Sequence, residues 1–191
     1  GVRKVARHQQ FFGIRRAVET VKQFDVSGAR KGGVIWHTQG SGKSLTMVML
    51  GRSLALDKTI RNPRILIVTD RGDLDKQIKD TFKSCDLEPI RATSGSHLQA
   101  ADEDANIFVL VDESHRTQTG RYGGHSQFAT KMRRFLPQAC YLGFTGTPLL
   151  KKEKNTLSTF GRLIHRYAID EAVADEAVVP LLYEGRLVEQ Q

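Results

Sequence analysis

Short apolar runs alternate along the chain with longer stretches of mixed character. Gly33 to Trp36 is strand-sized, and a glycine-rich turn separates it from a helical pattern running from about Lys43 to Leu56. A second run, Arg64 to Thr69, leads into helical spacing from Leu74 to Ser84. Ile107 to Val111 and Cys140 to Phe144 supply two further strands; between them Ser126 to Leu136 patterns as a helix stopped by Pro137. Short, continuously apolar strands separated by helices require a sheet buried on both faces, which is met by parallel strands with helical crossovers. The fold class expected is α/β, a mostly parallel sheet with helices on both faces. The tail differs: Tyr167 to Ala174 patterns as a short helix, and Val178 to Leu187 as a strand leaving the domain. Residues 1–178 are therefore expected to form one domain, with 179–191 beginning a connection to another.

A chain of 191 residues suits a single sizeable core. No apolar run approaches the roughly 20 residues that cross a bilayer, and the start, at Gly1, is basic and polar rather than signal-like. The expectation is a soluble cytoplasmic protein without a membrane partner, cut from a longer chain. Cys85 and Cys140 lie far apart with no zinc or disulfide spacing and read as reduced thiols. The net charge of +8 favours a polyanionic partner, although the basic residues are scattered and do not alone decide for nucleic acid.

The segment His37-Thr38-Gln39-Gly40-Ser41-Gly42-Lys43-Ser44 has the context of a phosphate-binding P-loop, after a strand and before a helix. Gly40 and Gly42 let successive backbone N–H groups turn inward, joined by those of Thr38 and Ser41, and the helix N-terminus adds its dipole. Lys43 is placed to reach the β- and γ-phosphates of ATP, and the Ser44 hydroxyl to ligate Mg²⁺. Position 37 carries His where the general pattern has Gly. Downstream, Val109-Leu110-Val111-Asp112-Glu113 is an apolar strand delivering two carboxylates at its C-terminal end. In that context Asp112 holds the metal and Glu113 orients and activates the attacking water.

The residues around these two motifs narrow the class. Asp112-Glu113-Ser114-His115 is a DExH box like that of superfamily 2 helicases, and Phe144-Thr145-Gly146-Thr147-Pro148 resembles helicase motif III. Arg7-His8-Gln9-Gln10 resembles the Q motif, whose glutamine reads adenine; Gln10 fits that place better, with Gln9 as the alternate. Longer strings extend the likeness: Val68-Thr69-Asp70-Arg71-Gly72-Asp73-Leu74-Asp75, Asp112 to Gln118, Leu142 to Pro148, and Phe160-Gly161 through Tyr167-Ala168-Ile169-Asp170 to Gly185. Across nearly its whole length the chain resembles the first RecA-like motor domain of type I restriction enzyme R subunits.

That resemblance implies an ATP- and Mg²⁺-dependent motor translocating double-stranded DNA. Its implied companions are a second RecA-like domain and a nuclease domain on the same chain, with separate specificity and methylation subunits. It places Thr69, Asp70 and Arg71 in motif Ia, which touches the DNA backbone, Arg71 being the natural phosphate fork or equally a surface arginine at a helix start. His115, Arg116, Thr145 and Thr147 become candidates for coupling the nucleotide and DNA sites. Trp36, on a strand expected to be buried, reads as core packing rather than an adenine stack.

Two departures stand out. Between Ala92 and Ala105 the family's usual strand and Thr-Thr motif are missing: either residues are absent from this stretch, as Ser94-Gly95-Ser96-His97 to Asn106 reads as a splice across a loop, or this member has lost a DNA-contacting element. No pair of carboxylates is spaced for a metal nuclease; Glu153-Lys154 and Glu19-Thr20-Val21-Lys22 read as helix-face charges. Two other readings stay open: a general superfamily 2 helicase or remodeller, and a nucleotide-dependent switch without a nucleic-acid track.

Overall fold

In the computed structural model the described residues are 5–69, 83, 106–112, 132–146, 157 and 160–180. Their elements in chain order are α1 (His8–Val21), β1 (Gly33–His37), α2 (Lys43–Leu56), β2 (Pro63–Val68), β3 (Asn106–Val111), β4 (Cys140–Thr145), β5 (Leu163–Tyr167) and α3 (Ile169–Ala174). The five strands form one sheet in the order β2-β3-β4-β1-β5, and every pairing is parallel.

Period-two alternation divides each continuous apolar run between the two faces of this sheet. Ile35, Phe108, Leu110, Leu142 and Phe144 form one core with Ala17 and Val21 of α1 and Met47, Leu50 and Leu54 of α2. Their sequence neighbours Val34, Val109, Val111 and Tyr141 form the opposite core with Met132, Leu136 and Phe160. Residues 132–135 are helical, inside the stretch expected to be a helix. The fold is thus the expected RecA-like α/β arrangement, a parallel sheet with helical cover on both faces.

Helix α2 spans the residues its spacing predicts, and the first four strands lie within a residue or so of expectation. The tail needs correcting. Tyr167 ends a strand instead of opening a helix, and 178–180 are not in a strand. Leu163-Ile-His-Arg-Tyr is an edge strand of alternating exposure, so its polar positions conceal it from a search for continuous apolar runs. The expected helix from Leu74 to Ser84 and the interval Ala92–Ala105 lie outside the described residues, apart from Lys83.

The β1–β5 register slips between Val34 and Ile35: Val34 pairs with Leu163 and Ile35 with His165. The extra residue lets Ile164 join the core beneath α1 while His165 also reaches His37 on that side.

Candidate nucleotide site

In a parallel sheet the strand C-termini open onto one edge, where ligands of such folds bind. Here β1 delivers His37 and Thr38, β3 delivers Asp112, β4 delivers Thr145 and Gly146, and β2 ends beside Thr69. Asp112 is buried, and its N–H donates to Val68 O at 2.9 Å, continuing the β2–β3 ladder to the site.

The P-loop takes its shape from two glycines in the left-handed region, Gly40 at φ 82° and Gly42 at φ 86°. Gly42 is the residue before the first turn of α2, so the helix N-terminus, whose first N–H groups have no intrahelical acceptor, opens at the loop. Inside the loop, Ser41 Oγ donates to Thr38 O at 2.6 Å, and both side chains are buried. Ser44 occupies the first turn of α2 and is half-buried. Lys43 lies across the loop against the end of β4: a Cβ added to Gly146 would stand 2.8 Å from Lys43 Nζ and 3.4 Å from Gln39 N. Glycine at 146 thus allows the end of β4 to approach the P-loop closely.

Both glutamines of the N-terminal motif are buried on α1 and grip the loop from behind. Gln10 Nε2 donates to Gly42 O at 3.1 Å, and Gln9 Nε2 reaches Ser41 O at 3.5 Å. Gln10 Oε1 accepts from Arg7 N at 2.9 Å, anchoring the start of α1. An amide side chain carries two donors and two acceptor lone pairs, and these bonds use one of each on Gln10. Gly42 O also accepts from Thr46 N and Thr46 Oγ1, each at 3.1 Å.

Three contacts that no local motif signals complete the loop's setting. Thr38 N donates to Tyr167 O at 2.9 Å, extending the β1–β5 ladder into the P-loop. His37, fully buried, meets His165 with Nε2···Nδ1 at 2.9 Å. Val178, just past α3, would touch a Cβ on Gly40 at 3.7 Å. Burial, reinforced by His165 and Lys43, pushes the His37 imidazole far down from its ordinary pKa. Burial lowers His165 as well. Burial and a hydrogen bond to Asp175 push the Tyr167 phenol up to about 12.

The structure thus brings together Gln10, Thr38, Gly40, Ser41, Gly42, Lys43 and Ser44, with Asp112 and Thr145 at adjacent strand ends. Glu113, Asp70, Arg71, His115, Arg116 and Thr147 lie outside the described residues. Trp36 is half-buried, with the Arg166 guanidinium 5.3 Å from its ring centre. The donors present fit a triphosphate with a magnesium ion: a glycine-shaped cradle, a lysine ammonium, a hydroxyl at 44 and a buried carboxylate at 112.

The chain is similar to known ATPase and restriction-enzyme sequences. The family described as SWI2/SNF2 ATPase matches residues 9–101 and 97–191. The two stretches meet inside the interval where the sequence reads as a splice. The HindI type I restriction enzyme endonuclease subunit of Haemophilus influenzae is 34% identical over 96% of this chain. A type I endonuclease subunit of Methanocaldococcus jannaschii, described as a candidate of that kind (MjaIXP), is 32% identical over 97%. The chain spans 21% and 20% of the length of these relatives. Among solved structures, the Hef helicase domain of Pyrococcus furiosus matches 72% of this chain and 34% of its own, with 16% identity and a TM-score of 0.48. Because one family covers the chain from Gln9 to its last residue, through the P-loop and the acidic strand end, the chain belongs to the SWI2/SNF2 ATPases.

Proposed function

We propose that this chain is an ATP-hydrolysing motor domain that drives translocation on double-stranded DNA within a type I restriction endonuclease R subunit. The observation that carries the proposal is the convergence of the P-loop, Lys43, the buried Asp112 and the motif III glycine at one sheet edge. Similarity to the endonuclease subunits supports the restriction context. Bound Mg-ATP supplies the reactive phosphoanhydride and a divalent charge. The backbone N–H groups from Gly40 to Ser44 hold its phosphates, and Lys43 neutralises the charge that builds on the transferred phosphoryl. Ser44 and Asp112 hold the metal, Glu113 orients the attacking water, and Gln10 reads the adenine edge. Thr69 and Arg71 contact the DNA backbone. His115, Arg116, Thr145 and Thr147 link the two sites.

Two substitutions test the reading in a chain carrying both motor domains. Lys43→Ala is expected to abolish Mg-ATP binding in calorimetry while leaving the thermal transition in place. Glu113→Gln is expected to keep ATP binding but stop turnover, by a factor of about 10² or more for loss of a positioned base. Normal turnover by Glu113→Gln would remove its assigned role. ATP hydrolysis indifferent to duplex DNA would favour a nucleotide switch over a DNA motor.

A further inference from the structure

We infer that His37 and His165 form a positioning pair for the P-loop, tying its first residue to β5 and to the α1 helix that carries Gln9 and Gln10. This rests on the nucleotide-site reading above and assigns it two residues outside the phosphate cradle.

The pair is built into the fold. His37 Nε2 and His165 Nδ1 are 2.9 Å apart, with the rings edge-on at a centroid distance of 5.1 Å and Tyr167 against His37 at 5.9 Å. Gly13 of α1 makes room: a Cβ there would come within 3.2 Å of His37 Cε1. The register slip in β5 brings His165 to the same side. His37 Nδ1 is shielded and has no hydrogen-bond partner among the described residues, so the bond to His165 carries the ring's polar anchoring. An apolar residue would fill this core position without that unmet nitrogen, and rules of core packing are broken mainly at functional sites.

The place of the pair gives it a task. One residue on, Thr38 N bonds Tyr167 O. From there Ser41 closes onto Thr38, while α1 holds Ser41 O and Gly42 O through its glutamines. With the Tyr167 ring against His37, the imidazole pair links β5 to the start of this frame, beside α1. The charged and titratable groups around it are Lys43, Arg16, His8, Glu171 and Tyr167; mostly basic, they favour neutral rings, one donating and the other accepting.

The test uses the full-length subunit. His37→Phe and His165→Phe keep ring bulk and remove the hydrogen bond, whereas His37→Gln retains an Nε2 donor and His165→Asn an acceptor. Each Phe variant is expected to raise KM and calorimetric Kd for Mg-ATP by about five- to tenfold, with kcat within about twofold of wild type. The double Phe variant is expected to be no worse than either single one, and the Gln and Asn variants to return within about twofold of wild type. Wild-type affinity in the Phe variants, additive losses, or Gln and Asn variants as weak as Phe would overturn the pairing. If His37→Phe does not fold, His165→Phe against His165→Asn decides alone, since that side chain is only half-buried on an edge strand. Wild-type protein that fails to bind Mg-ATP, or Lys43→Ala binding it normally, overturns the nucleotide site itself and the pair's role with it.

Discussion

Gly42 concentrates several demands on one residue. Its backbone lies at φ 86°, its carbonyl takes donors from Gln10 and Thr46, and a Cβ would stand 2.7 Å from Gln10 Nε2. Gly42→Ala therefore combines left-handed strain, of order 1 kcal/mol or more, with displacement of the Gln10 amide. Its expected outcome is at least about tenfold weaker Mg-ATP binding by calorimetry and a lower thermal midpoint. The glycine, lysine and serine of the loop are legible in the sequence because they are contiguous and their spacing encodes the backbone shape. The glutamine contacts are less so. The motif suggests a base-reading glutamine, but the grip of Gln9 and Gln10 on carbonyls 32 residues away depends on how α1 docks.

At the scale of elements, the seam between α1, β1 and β5 is where sequence reasoning stops short. β1 and α2 are visible because strand, turn and helix follow one another. β5 is an edge strand with His and Arg among its five residues, and its pairing with β1 crosses most of the chain. This seam also carries pH sensitivity of its own. Burial keeps His37 and His165 below the ordinary imidazole value of 6.5. As pH falls through that value, the unfolded chain takes up protons there that the folded chain refuses, so stability is full above the window and declines below it. For fully buried His37 the slope approaches about 1.4 kcal/mol per pH unit, continuing toward its folded value of about 3; half-buried His165 adds less. Thermal melts from pH 8 to 5 are expected to show this decline, and His37→Phe to flatten it. Asp57 acts in a separate, lower window: its bond to Lys22 at 2.6 Å, with help from Thr59, holds its carboxyl at about 2. That contribution is present above the ordinary carboxylate value and is lost as pH falls toward 2.

Over the whole molecule, the parallel sheet with two cores follows from the apolar runs, because strands buried on both faces must be apolar at every position. Strand order does not follow from them. Placing β1 between β4 and β5 depends on long-range pairings that no local pattern records. The net charge of +8 gives the proposed DNA track a measurable signature. Duplex affinity, followed by fluorescence anisotropy between about 50 and 200 mM salt, is expected to fall log-linearly, with a slope near −0.9 per phosphate contacted. Arg71→Ala, if that residue grips a phosphate, is expected to make the slope shallower by about 1.

The position of β1 in the sheet also sets a timetable for synthesis. Its strand partners among the described residues are β4 and β5, so on the ribosome β1 emerges long before the strands that pair with it, although α1, made earlier, can already reach the loop that follows. Contacts so far apart along the chain make for slow folding. Until Leu163–Tyr167 has appeared, β1 offers a bare apolar edge of the kind that recruits other chains. Between the synthesis of β1 and that of β5 the phosphate-loop segment is therefore expected to lack the sheet pairing that frames it in the folded protein.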